Sequence, residues 1–155
     1  DYENLFNGRL NISWSPNQAF SLGAGIGGGR QIAYNETNPR IGISQRRGVD
    51  LDLQAKGKFQ WSLDLDYEEM YELYDPAISI YKGFLFQSVF KYTLTRAFDF
   101  RLVSQLNNFD SGEINILMQP LIQYRPTAFS LFYLGGMFQN GQFQGYLKWQ
   151  KQIGN

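Results

Sequence analysis

Apolar and polar residues alternate along most of the chain, the period-two signature of β-strands. The pattern is cleanest at 59–68. There Phe59, Trp61, Leu63, Leu65 and Tyr67 share one face, and Gln60, Ser62, Asp64, Asp66 and Glu68 share the other. Val49, Leu51, Leu53 and Ala55 alternate with Asp50, Asp52, Gln54 and Lys56. Leu10, Ile12 and Trp14 alternate with Arg9, Asn11, Ser13 and Ser15. Phe98, Phe100, Leu102 and Leu106 alternate with Asp99, Arg101, Gln105 and Asn107, and a further run covers 114–125. No comparable helical period appears.

Turn residues divide this pattern. Short breaks fall at Pro16-Asn17-Gln18, Gly57, Arg96-Ala97 and Pro126-Thr127. Longer connections are expected at 35–40, 74–76, 107–113 and 136–142, so that short and long breaks alternate. The spacing predicts nine strands, at about 5–15, 19–34, 41–56, 59–73, 77–95, 98–107, 113–125, 128–136 and 142–153. Every connection is short enough for a hairpin, so the expected fold is an all-β antiparallel meander in one domain spanning 1–155. Several strands exceed the usual length of about five or six residues, and long twisted strands in a meander close into barrels rather than leave edges exposed.

Composition narrows the chemistry. The chain has 155 residues with no Cys and no His. Disulfides, thiolate nucleophiles, Ser-His-Asp catalysis and histidine metal sites are therefore excluded. Lys plus Arg and Asp plus Glu are equal at 14 each, so no general attraction to nucleic acid is expected. No run of about 20 apolar residues offers a transmembrane helix. Together these point to a non-enzymatic protein with no cofactor.

Alternation alone leaves open which face is covered. A soluble, lipocalin-like barrel holding an apolar ligand turns its apolar face inward. An outer-membrane barrel turns it toward lipid and keeps polar residues in the lumen. Three features favour the second. The polar face carries charges of both signs, predicting a lumen lined by Arg9, Asp50, Asp52, Lys56, Asp64, Asp66, Glu68, Lys91, Asp99, Arg101, Gln105, Arg125 and Lys148. Aromatic residues, 17% of the chain, gather beside the short turns, predicting a membrane-interface girdle of Trp14, Phe20, Phe59, Trp61, Tyr92, Phe98, Tyr124, Phe129 and Trp149. The alternation of short and long connections matches short periplasmic turns and longer outer loops. With the short turns periplasmic, strands one and nine both run toward the periplasm. A bacterial barrel has an even strand number, so a C-terminal part of a larger barrel is expected.

The stretch from Lys91 to Leu102, read Lys-Tyr-Thr-Leu-Thr-Arg-Ala-Phe-Asp-Phe-Arg-Leu and followed by Gln105 and Asn107, resembles outer-membrane barrels of Bacteroidota-type Gram-negative cells. Gln123-Tyr124-Arg125-Pro126 and Phe129-Ser130-Leu131-Phe132 look like the next hairpin of a family that carries an N-terminal carbohydrate-binding, family-9-like domain ahead of its barrel. The likeness covers about residues 80–135. It implies an outer-membrane location, a missing N-terminal region and no catalytic residue; the expected partners are outer-membrane lipid or lipopolysaccharide and proteins of a surface complex. The ending Gln152-Ile153-Gly154-Asn155 departs from the terminal aromatic common in such barrels.

Other motifs add little. Gly23-Ala24-Gly25-Ile26-Gly27-Gly28 contains G-x-G-x-x-G, yet no helix is expected after it, as a dinucleotide site requires. Glu68, Glu69, Glu72 and Asp75 are oxygen-rich, but alternation splits them between faces and they fit no EF-hand. Asp50, Asp52, Asp64 and Asp66 are read as balancing Arg9, Lys56, Lys91 and Arg101 across the lumen rather than as a catalytic pair. Asn11-Ile12-Ser13 and Asn35-Glu36-Thr37 match glycosylation sequons, which are uninformative in bacteria. The expected role is a pore, a plugged barrel or a membrane anchor.

Overall fold

The computed structural model describes residues 5–33, 40–108, 112–127 and 129–151. Its nine strands are β1 (Asn7–Asn17), β2 (Phe20–Ala33), β3 (Arg40–Ala55), β4 (Phe59–Glu72), β5 (Ser79–Thr93), β6 (Phe98–Asn107), β7 (Asn115–Thr127), β8 (Ser130–Gln139) and β9 (Gln142–Lys151). They form one sheet in sequence order, and all eight neighbouring pairs are antiparallel. The all-β meander expected from alternation is the observed fold. The sheet is not closed, because β1 and β9 are not paired with each other. Eight successive reversals leave these two strands running in the same direction.

Turn chemistry explains where the strands end. At the short-turn end, Asn17 Oδ1 accepts from Ala19 N–H at 2.8 Å, Thr95 Oγ1 from Ala97 N–H at 3.2 Å, and Thr127 Oγ1 from Phe129 N–H at 3.3 Å. Such short side chains satisfy turn donors that no strand can reach. Lys56 (φ +49°) and Gly57 (φ +65°) make the β3–β4 turn with left-handed backbone. Pro16 and Pro126 both fall inside register shifts, between Trp14 and Asn17 and between Tyr124 and Thr127. A residue without an N–H is tolerated at such a bulge.

One expected connection is corrected. No long loop occupies 136–142: β8 continues to Gln139, and Asn140 (φ +46°) with Gly141 (φ +85°) turns the chain in two residues. Positive φ at both positions is the tight hairpin geometry that Asn-Gly favours. Short and long connections therefore do not alternate through the last hairpin. The loop expected at 35–40 falls almost wholly outside the described residues, as do the Asn35 sequon and the chain end from Gln152.

The register sorts side chains by chemistry. Directly paired residues share a face, so Trp14, Leu22, Leu51, Leu63 and Ser88 lie in one cross-strand row. The parallel row through Gly23, Asp50, Asp64, Gln87 and Gln105 lies on the opposite face. Burial shows how the sheet bends. Among the described residues, the buried strand positions Gly23, Gly29, Ala33, Gly42, Ser44, Met70 and Gly83 all lie on the polar face, with Gly136 the exception. On the apolar face, Val49 and Leu65 remain 47% and 46% exposed although both sit on inner strands. Side chains converge on the inside of a curved sheet and splay on its outside. The polar face is therefore concave and the apolar face convex.

Candidate functional site

The concave face is floored by β2 glycines. Gly23, Gly25, Gly27 and Gly29 place no side chain there, and their neighbours lie down over them. Asp50 carboxylate oxygens occupy the space a Cβ on Gly23 would fill, and Asn11 Oδ1 stands 2.6 Å from such a Cβ on Gly25. Across the strip, Arg9 Nε donates to Asn11 Oδ1 at 2.7 Å. Arg46 makes a two-point contact with Asp66, Nε to Oδ1 at 3.2 Å and a terminal nitrogen to Oδ2 at 3.0 Å. Tyr81 O–H donates to Glu68 Oε1 at 2.7 Å, Gln87 to Gln105 at 3.2 Å, and Thr93 O–H to Asp99 Oδ1 at 2.8 Å.

Of the expected lumen residues, Arg9, Asp50, Asp52, Asp64, Asp66, Glu68, Lys91, Asp99, Arg101, Gln105, Arg125 and Lys148 lie on this one face by register and parity. Lys56 does not: it belongs to the β3–β4 turn, where the left-handed backbone takes it off the strand. Among the described residues the expected pairing of Asp50, Asp52, Asp64 and Asp66 with Arg9, Lys56, Lys91 and Arg101 is not found. Asp66 takes its partner from Arg46, a residue that reasoning from alternation overlooked. Its neighbour Arg47 sits on the other face, and counting back by twos from Asp50 would have placed Arg46 correctly.

The remaining charges separate by sign. Asp50, Asp52 and Asp64 lie on β3 and β4, while Lys91, Arg101, Arg125 and Lys148 lie on β5, β6, β7 and β9. Among the described residues none of these seven makes an ion pair or a side-chain hydrogen bond. Two cross-strand pairs set like charges opposite each other, Asp50 with Asp64 and Lys91 with Arg101. Like charges in that position destabilise a sheet.

The convex face carries aromatics in contact near the short turns. Trp14 and Phe20 meet edge to face with centroids 5.5 Å apart. Phe59, Phe90 and Phe100 follow with edge contacts at 5.4 and 6.0 Å. Phe98, Tyr124, Phe132 and Trp149 then stack across four strands at 4.3, 6.2 and 6.0 Å. Trp14, Phe20, Phe59, Trp61, Tyr92, Phe98, Tyr124 and Trp149 share this face; Phe129 lies in the β7–β8 turn. Phe90, Phe100 and Phe132 extend the row beyond the expected set. Trp61 donates its indole N–H to Ser88 Oγ at 2.9 Å, so a polar group on an apolar surface is satisfied locally.

Toward the long-loop end the convex face changes character. Tyr67 and Tyr71 both donate to Glu69 Oε2 at 2.9 Å, and Arg47 lies 3.7 Å from Glu69 Oε1. From Phe59 to Tyr67 the chain advances eight residues, about 26 Å along a strand.

Three weaker motifs resolve simply. The glycine motif lies inside β2 with no helix after it. Glu68 and Glu72 face the concave side, Glu69 the convex side, and Asp75 sits in a turn, where its Oδ1 accepts from Ala77 N–H. Among the described residues no group of acidic side chains is arranged to hold a metal ion, and no helix is long and apolar enough to cross a membrane. No family model matches the chain, and neither does any curated protein or solved structure.

Proposed function

We propose that this chain forms wall of a transmembrane β-barrel in a Gram-negative outer membrane, with a structural, anchoring or transport role. The observation that carries this reading is the inverted sheet, with polar residues on the concave side and apolar ones on the exposed convex side. A water-soluble barrel has the reverse arrangement, because burying apolar surface drives its folding. A lipocalin-like pocket would need the apolar face inside. The aromatic row supports the reading, since amphipathic rings suit the lipid–water boundary. At the strand tilt usual in barrels, near 40°, the rise from that row to the Tyr67–Glu69–Arg47 rim is about 20 Å, most of the apolar band of about 25 Å. The charged rim then falls at the level of lipopolysaccharide headgroups.

Bare strand edges are excluded from lipid, where each unpaired backbone group costs several kcal/mol. Direct pairing of β1 with β9 would be parallel, unlike every other pair in the sheet. We therefore read closure as requiring an odd number of further strands between them. The test is purification with and without detergent, followed by gel mobility before and after boiling. The expected result is detergent dependence and a heat-dependent mobility shift. A monomer that stays in solution without detergent and shows no shift sinks the membrane reading.

A further inference from the structure

The concave face holds a cleft of about 380 Å³ near the short-turn end. Asp52 of β3 and Lys91 of β5 line it, with Gln60 and Ser62 of β4 between them and Ser21 and Ser15 of β2 and β1 beyond Asp52. Ser15 and Ser21 hydroxyls bond each other at 2.8 Å. Neither Asp52 nor Lys91 has an ion-pair partner among the described residues. The register puts Ser62 beside Asp52 and Gln60 beside Lys91, so both charged groups stand over uncharged donors and acceptors. Two strand spacings and two residues separate their Cα atoms, about 12 Å. No ion pair joins them, and the Ser62 hydroxyl and Gln60 amide between them supply hydrogen bonds without charge.

We propose that this cleft binds a small zwitterion of the amino-acid or short-peptide class, its ammonium group at Asp52 and its carboxylate at Lys91. Between the Asp52 carboxylate and the Lys91 ammonium lies a span of the order an extended dipeptide, about 7 Å long, can bridge. The surrounding charges fit this polarity. Asp50 and Asp64 extend the acidic side and Arg101 extends the basic side, where the Asp99 carboxylate accepts from the Thr93 hydroxyl. A neutral solute gains nothing from either wall, and a simple ion is repelled by one of them.

The site rests on the barrel reading for its place in a lumen, but not for its chemistry. The test is calorimetric titration of the full chain, in detergent, with alanyl-alanine and with its acetylated, amidated counterpart. The expected result is binding of the zwitterion at least tenfold tighter than the capped peptide. Asp52→Asn and Lys91→Met should each remove most of that preference. The exchange Asp52→Lys with Lys91→Asp should restore it to within threefold, since the ligand can bind reversed. That restoration separates a binding role from a merely structural one. Equal affinity for both peptides, or no heat from either, overturns the proposal; if the heat-dependent mobility shift persists, the barrel reading survives. If the protein proves soluble and shows no shift, the barrel reading fails, and the same titration in plain buffer judges the cleft.

Discussion

The two faces of this sheet are built from the same strands and obey opposite rules. On the convex face, bulky side chains stand outward, pack edge to face or stack, and stay exposed. On the concave face, glycines remove side chains so that Arg9, Asn11, Asp50 and Asp66 can lie flat. Crowding is managed by choosing large residues where the surface splays and small ones where it converges. A given change of residue should therefore have unequal effects on the two sides, and that inequality is measurable.

The largest difference is expected for an introduced charge. Leu63→Arg, midway between Phe59 and Tyr67 on the convex face, should cost about 2–4 kcal/mol of stability in a bilayer, the range for arginine at the midplane of a barrel's lipid face. Gln87→Arg, on the concave face opposite Asp64, should be neutral or mildly stabilising. Denaturant titration in phospholipid vesicles reads both. Equal losses at the two positions would mean that neither face meets lipid.

A second contrast lies within the glycine strip. A methyl group on Gly29 would run into the Phe6 carbonyl oxygen, which is backbone and cannot swing aside. On Gly23 it would meet only the Asp50 carboxylate, which can rotate away. Gly29→Ala should therefore cost about 1–3 kcal/mol through forced backbone shifts, and Gly23→Ala clearly less. Thermal melts of the two variants compared with the parent check the order. A larger loss at Gly23 would mean that Asp50 is held more firmly than its bonding shows.

The smallest effect is expected for the two-point Arg46–Asp66 ion pair of the concave face. Arg46 and Asp66 side chains are 48% and 28% exposed, so water screens their attraction. Arg46→Ala should cost no more than about 1 kcal/mol, and the loss should shrink as salt is raised. A salt-independent loss of several kcal/mol would assign Arg46 a buried, structural role.

Much of this was legible in the chain. Period-two alternation fixed the number of strands, their order and, through parity, the face of nearly every charged residue. What parity could not reveal was the sense of curvature, because alternation is the same whichever side is inside. Individual misreadings have local causes. Gly136 and Gly141 together looked like a long loop, but only Gly141 has left-handed backbone, and Asn140-Gly141 was the true turn signal. Lys56 continued the alternation by one residue past the point where the chain turns. The roles of Asn108 and Asn140 had no visible signal. Each caps a ladder with both its groups: Phe84 N–H donates to Asn108 Oδ1 while Asn108 N–H donates to the Phe84 carbonyl. Asn140 repeats this with Ile116, at 3.0 and 3.2 Å. Such contacts depend on which strand arrives alongside, and local pattern does not encode that.

The meander order has a consequence for how the sheet is assembled. Every strand pairs only with its neighbours in sequence, so no contact waits for a distant part of the chain. Low contact order of this kind favours stepwise growth, each new hairpin docking on the edge left by the last. The sheet behaves as a one-dimensional array, in which each added or lost hairpin changes one interface and leaves the others intact. A wall of this design can be widened by duplicating a hairpin, with no need to redesign the strands already in place.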